Sequence, residues 1–360
     1  MRMAKAYRRS AVTFYLKAIP TEGDYGADFR GNKKVFTDKD QALIKALLRY
    51  ARSSQQLIRA RLELEDEAIP ISFIGQLKRK WHLPEGTIAM GQRLQDMSRI
   101  QYSKLVVDAI NGLNLVLGDQ CIPEKYRAKS DQFKSFKLIR SACEHSGIFV
   151  ILKNNLGSHH SKLTSELFRA FVISDEIALL MVLNRSNPHP AMSFSILHET
   201  VHLLLDQTGV SDIESTTPVE QFCNIVAGVW LLPQKFIKEQ WGNRILGIPD
   251  AVSQISSQCN LSRMMVATRV YQERLISRED YSKLIDVFRD DWKKTQQEKQ
   301  NSSQNQQQGC ANYYVIQRNQ SENRTLDFAD RMIQSGGLTV TKAARILGVK
   351  PSNVLKLLDS

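Results

Sequence analysis

Residues 198–202 read HETVH and could hold a zinc ion. Apolar residues before this motif and leucines at 203–205 after it predict one continuous helix. On a helix, His198 and His202 lie one turn apart on the same face, so both imidazoles can reach one ion at about 2.0–2.1 Å. Glu199 would lie beside that ion, where a carboxylate can take a proton from water and pass it to a leaving amine. The motif therefore predicts zinc-dependent hydrolysis with Glu199 as the general base.

A catalytic zinc site normally has three protein ligands, so a third must come from elsewhere in the chain. Asp206 would lie about 12 Å along the helix axis from His198, too far to share the ion. Glu220 is the better candidate, because it opens the segment 219–233, whose apolar residues recur at helical spacing after a loop that lets the chain fold back. Asn224, one turn further on, is expected to face the same way.

Each of these residues also has a purely structural interpretation. The two histidines could be packed in a core without a metal. Glu220 could be an acidic residue favoured by the dipole at a helix N-terminus, and Asn224 could cap a helix or pack beside an apolar face.

The segment resembles the ImmA/IrrE-type metallopeptidases. The residues that carry the resemblance are HETVHLLL at 198–205, Glu220, Cys-Asn at 223 and 224, Ala227, and Leu-Leu-Pro at 231–233. Cys223 stands where alanine is usual, and Thr200 and Val201 stand where a glycine-containing helix is common. Neither departure touches a predicted ligand. The resemblance covers about 143–290.

This resemblance implies an α+β fold with a zincin-like core, in which a small three-stranded sheet lies beside the HExxH helix. The predicted strands are 147–155, 168–175 and 176–184. It also implies Zn²⁺ held by His198, His202 and Glu220. An extended substrate could add as a further strand beside 177–183; alternatively, the strands provide only a hydrophobic floor under the helix.

Composition is that of an ordinary globular protein. The chain has 360 residues, 42% hydrophobic and 24% charged, which leaves room for two to three domains. The apolar stretch near the N-terminus is short and interrupted by Lys17, so we expect a cytoplasmic protein with no membrane association. Five widely spaced cysteines predict reduced thiols and argue against a thiolate-bound zinc.

Residues 1–142 are predicted to be a basic, mostly helical region of unknown role. The net charge is +12, and residues 1–82 hold 17 Lys and Arg against 9 Asp and Glu, a surplus of 8. The surplus could form the solvated face of a helix, or a surface for nucleic acid or an acidic partner.

The predicted metallopeptidase domain, 143–292, is followed by a polar low-complexity linker at 293–311 and a helical segment at 312–360. The end of that segment is typical of a helix-turn-helix, with Ala344, Gly348, Val354 and Leu357 at the small, turn and buried positions. Two interpretations remain open, a DNA contact and a docking or dimerisation hairpin. The residues expected to contact DNA or a partner are Lys350, Ser352, Asn353 and Lys356.

Two functional hypotheses follow. In the first, the protein is a zinc endopeptidase that cleaves an intracellular regulator, such as a DNA-binding repressor, and so switches the transcription of mobile-element or stress genes. In the second, it is a non-proteolytic DNA- or protein-binding regulator, or a toxin–antitoxin component, that keeps the fold as a sensor or scaffold. The intact Glu199 favours the enzyme, because a scaffold needs no base beside the metal.

Overall fold

The computed structural model describes residues 37–156, 161–207, 217–305 and 324–358. His159 and His160, which the sequence predicts to be solvated loop residues rather than ligands, lie outside these ranges. So do Cys310, one of the five cysteines, most of the loop before Glu220, and residues 1–36. Among the described helices, none combines the length and apolar character needed to cross a membrane.

The described part of the N-terminal region, from residue 37 onward, is mostly helical, as the sequence predicts. It consists of α1 (Asp38–Leu64), α2 (Gln76–Trp81), α3 (Thr87–Gln95), α4 (Arg99–Leu117), α5 (Pro123–Arg127) and α6 (Gln132–His145). The longest of these, α1, begins at a capping box in which the Thr37 side chain accepts from the Asp40 N–H and the Asp40 carboxylate accepts from the Thr37 N–H.

Three short strands follow: β1 (Phe149–Lys153), β2 (Ala170–Ile173) and β3 (Leu180–Asn184). Their order is β1-β3-β2, with β1 parallel and β2 antiparallel to β3. The last strand is therefore central, with both edges paired. Because a peptide can add only at an edge strand, the predicted substrate strand beside the active centre would have to pair with β1 or β2 and not with β3.

Alternate residues of the sheet are buried on opposite faces. Phe149, Phe171 and Val182 pack in a cluster with α1, whereas Val150 and Met181 belong to the main core beneath the histidine-bearing helix. The main core is one spatial cluster whose members come from positions between Leu77 and Phe288. The N-terminal helices and the predicted peptidase segment thus share one hydrophobic core, and the domain boundary near 142 stays a prediction.

The remaining helices of the main body are α7 (His189–Leu204), α8 (Pro218–Leu231), α9 (Gln234–Gly242), α10 (Ile248–Gln258), α11 (Arg263–Gln272) and α12 (Arg278–Asn305). The backbone of α12 continues into the segment predicted to be a linker. Residues 293–305 are helical because Lys, Gln and Glu are good helix formers and no Gly or Pro interrupts them. Residues 306–311 lie outside the described ranges.

The C-terminal helices are α13 (Arg324–Gln334), α14 (Val340–Leu347), a 3₁₀ turn (Pro351–Asn353) and α15 (Val354–Leu358). Of the helix predicted from residue 312, the described part starts at Arg324. The unit lies against β1 and α1: Phe328 packs edge-on against Phe149 at 5.5 Å between ring centroids, and the Tyr50 hydroxyl donates to the Ile346 carbonyl at 3.1 Å.

Candidate metal centre

Helix α7 supplies two converging imidazoles. It begins after Pro188 and carries Pro190 in its first turn, where a missing N–H costs nothing. His198 and His202 are both buried, and their Nε2 atoms lie 3.0 Å apart. The one-turn spacing predicted from the sequence thus directs both rings to the same point.

Glu220 comes to that point from the first turn of α8. Thr217 caps this helix by accepting from the Glu220 N–H at 3.3 Å. Glu220 Oε2 lies 3.0 Å from His198 Nε2, and Oε1 lies 3.2 Å from His202 Nε2. The ligand atoms of the three residues lie within 4.8 Å of one another, and no other such group occurs among the described residues.

The N-terminal helices fix the position of α8. Pro218 packs against Gly91 of α3, where a Cβ on the glycine would lie 3.5 Å from the proline Cδ. At the other end of α8, Trp230 Nε1 donates to Asn114 Oδ1 of α4 at 2.8 Å. Helix α4 also packs closely against α7, since a Cβ on Gly112 of α4 would come within 2.9 Å of the Leu204 side chain of α7. The region 37–145 therefore braces the histidine-glutamate cluster.

The cluster has the charge distribution of a cation site. Burial opposes ionisation of Glu220, but the two neighbouring histidines lower its pKa to about 2. Burial lowers the pKa of His198, and this effect outweighs the carboxylate beside it. Burial also lowers the pKa of His202, but Cys223 and Glu220 together outweigh burial and raise this pKa well above its ordinary value. An ionised carboxylate with two imidazoles is a donor set suited to a divalent ion such as zinc.

Three further side chains surround this cluster. Glu199 is 1% exposed and lies on α7 directly after His198. Asn224 is half-buried and lies near His198, on the side predicted from its spacing to Glu220. Cys223 is buried near His202 and was missed as a neighbour of the site. Its position three residues after Glu220, hence on the same helical face, could have identified it.

Two other polar residues near α7 have structural contacts of their own. Asp206 lies beyond the end of the helix, with φ +56°, and pairs with Lys78 at 2.9 Å. From sequence alone we would place His189 in a solvated loop, but it is the first residue of α7 and packs against Phe133 and Phe136. The expectation failed because Pro188 and Pro190 mark a helix start rather than a loop.

The residues predicted to contact DNA or a partner lie elsewhere. They belong to the C-terminal unit, on the side of the sheet opposite α7, and take no part in the metal cluster. Lys350, Ser352 and Lys356 are exposed, and Asn353 is half-buried.

Comparison with known proteins identifies the class of the central segment. Residues 143–271 match the family model Peptidase_M78, described as the IrrE N-terminal-like domain. A search of curated proteins and a search of solved structures each found no match. The match covers residues 143–271, about a third of the chain; it agrees with the resemblance to the ImmA/IrrE family seen in the sequence and suggests a metallopeptidase.

The cluster fits a zinc ion by its dimensions. Tetrahedral zinc with bonds of about 2.05 Å places its ligand atoms about 3.3 Å apart. The two Nε2 atoms here lie 3.0 Å apart, each has an oxygen of the Glu220 carboxylate within 3.0 to 3.2 Å, and one ligand atom from each residue lies within 4.8 Å of the others. Three ligands leave one coordination position for water or substrate, as in catalytic rather than structural zinc sites. The described cysteines, Cys121, Cys143, Cys223 and Cys259, are free and buried.

Proposed function

We propose that this protein is a zinc-dependent endopeptidase. The observation that supports it most strongly is the convergence of two Nε2 atoms and one carboxylate at separations of 3.0–3.2 Å, with Glu199 next to His198 in the same helix. A buried core histidine pair would need no carboxylate from a second helix and no further acid beside it.

The role of each residue in the proposed reaction follows from the position of its side chain. His198, His202 and Glu220 would hold the ion, which supplies Lewis-acid chemistry by polarising the scissile carbonyl and activating water at neutral pH. Glu199 would accept the proton of that water and donate it to the amine as the peptide bond breaks. Asn224 and Cys223, which lie near His198 and His202, would help to orient the two imidazoles.

The substrate is proposed to be an extended protein segment. Because β3 is central, such a segment could add only at β1 or β2, and β2 is the edge strand that packs against α7. By resemblance to the ImmA/IrrE-type peptidases, the substrate class would be an intracellular regulator such as a DNA-binding repressor, whose cleavage switches transcription of mobile-element or stress genes.

The first test is the zinc content of the purified protein. We expect one equivalent of zinc by elemental analysis, and little or none in His198→Ala and Glu220→Ala. His145→Ala is the matched control, because this histidine lies exposed on α6, outside the cluster. A native protein that takes up no zinc after resupply, or equal loss of zinc in the control, contradicts the proposal.

The second test separates metal binding from chemistry. Glu199→Gln should retain zinc and lose about 10²- to 10⁴-fold in cleavage rate, since it removes the base but no ligand. New protein N-termini would be mapped in cells producing the native chain or the variant. Cleavages that appear equally with both proteins would show that Glu199 does not act as the base.

A further inference from the structure

The C-terminal helices form a three-helix unit with a hydrophobic core of its own. Its buried members come from α13, α14 and α15 and are Leu326, Ala329, Ala343, Ala344, Leu347, Val354 and Leu357. This cluster is separate from the two clusters that enclose the sheet. Four further residues of the segment, Phe328, Met332, Leu338 and Ile346, belong to the cluster between the sheet and α1, so the unit has a small core of its own and also packs into that of the main body.

The connection between α14 and α15 is a tight turn that depends on glycine. Helix α14 ends at Gly348, whose φ of +68° is readily adopted only without a side chain. The chain then turns through Pro351–Asn353 into α15. Two short helices joined by a glycine turn and packed on a third are the arrangement in which the last helix enters the DNA major groove.

The charge of this unit has a single sign over a long stretch. Residues 331–358 contain five cations, Arg331, Lys342, Arg345, Lys350 and Lys356, and no Asp or Glu. Of these, Lys342, Arg345 and Lys350 are exposed and form no ion pair with any described residue. Lys350 and Lys356 lie at the start and on the outer side of the last helical segment, with exposed Ser352 between them.

The side of the unit that faces the main body is occupied by other contacts. Arg324 stacks over the Phe149 ring at 4.7 Å, and Arg331 pairs with Glu67. At the turn, Lys153 and Tyr50 contact Gly348 so closely that a Cβ there would lie 2.8 Å from Lys153 Cε. These contacts define the face of the unit that meets the main body, and Lys342, Lys350 and Lys356 are exposed to solvent.

We propose that this C-terminal unit binds double-stranded DNA. Lys350, Ser352 and Lys356 would enter the major groove with α15, and Lys342 and Arg345 of α14 would contact backbone phosphates. This is a binding function distinct from the peptidase centre, which lies across the sheet and contributes none of these residues. DNA binding is accordingly independent of zinc.

The test measures binding of the full-length protein to a fluorescently labelled DNA duplex of about 24 base pairs by anisotropy over a series of salt concentrations. The variant is K350E/K356E. The control, K235E/K238E, changes the net charge equally on exposed lysines of α9, away from the C-terminal unit. Thermal melting checks that each variant is folded.

We expect the control to bind as the native chain does. The K350E/K356E variant should lose at least about tenfold in affinity at moderate salt, because two cations in the groove become anions. Equal loss in both variants would assign binding to net charge alone, and undiminished binding by K350E/K356E would place it elsewhere; either result overturns the proposal. Absence of binding by the native chain at low salt overturns it as well.

The same measurement on His198→Ala keeps this proposal separate from the peptidase. A variant without zinc that still binds DNA supports the assignment to the C-terminal unit. Failure of the zinc tests would leave the DNA-binding result unchanged, and failure of the DNA-binding test would leave the zinc results unchanged.

Discussion

Replacing Glu144 with glutamine should change how protein stability depends on pH. Glu144 ends α6, and its carboxylate is 1% exposed. Oε1 accepts from Arg140 Nε at 3.0 Å, whereas Oε2 is buried without a hydrogen-bond partner. Arg324 of the C-terminal unit donates to its backbone carbonyl at 3.4 Å. Burial outweighs the attraction of Arg140 and, with repulsion from Asp327, raises the pKa of Glu144 from 4.5 to about 7.

The sign of the effect follows from proton linkage. Between about pH 4.5 and pH 7 the folded state holds a proton on Glu144 that the unfolded state has released, so stability falls as pH rises through this range. A rise in pKa from 4.5 to about 7 corresponds to about 3 kcal/mol at most. Between about pH 5 and pH 8 the native chain should lose about 2.5 kcal/mol through this group.

Glu144→Gln keeps an oxygen acceptor for Arg140 but has no charge to bury. We expect the variant and the native chain to be similarly stable near pH 5, and the variant to be more stable by about 2 to 3 kcal/mol near pH 8. Urea unfolding at the two pH values measures the difference. Contributions from other groups, His189 among them, cancel in the comparison of variant with native protein.

Glu239→Gln serves as the control, because Glu239 is exposed on α9, and its stability should follow that of the native chain at both pH values. If Glu144→Gln differed from the native chain by the same amount at pH 5 and pH 8, the buried carboxylate would not be the source of the pH dependence, and the reasoning would be refuted.

Three further outcomes are expected. Gly348→Ala should lower the free energy of unfolding by about 1 to 2 kcal/mol, because alanine is strained at this positive φ and its Cβ would collide with Lys153. Urea unfolding measures the difference. Trp230→Phe should cost about 1 kcal/mol, because the ring is kept but the hydrogen bond to Asn114 is lost; an unchanged stability would contradict this. Free zinc at a hundredfold excess over its Kd should stabilise the native chain by about 2.7 kcal/mol, and His198→Ala should show no such gain.

The local parts of the structure could be predicted from sequence. His198 and His202 needed only the geometry of one helical turn, and the strands and most helices follow from short-range periodicity. Glu220 needed one more step, the folding back of a second helix, which an apolar segment after a loop makes predictable. These features depend on residues close together in the chain.

Long-range features could not be predicted in the same way. All five residues of β3 are buried and its sequence gives no alternation, so nothing local shows that it lies between β1 and β2. The start of the predicted linker is helical because composition does not separate a polar helix from an irregular segment. The contact of Cys223 with His202 depends on how α8 rotates against α7, which the spacing to Glu220 suggests only once the helix pair is known.

The metal ligands are divided unequally between two helices. His198 and His202 are set by the pitch of α7 alone, whereas Glu220 reaches them only if α8 keeps its position and rotation. Zinc affinity would therefore depend on how α7 and α8 are aligned, and it would respond to displacements of α8 that are too small to unfold the protein. A substitution as distant as Trp230, at the far end of α8, should weaken zinc binding without touching a ligand, and any partner that tilts α8 would regulate the site from outside it.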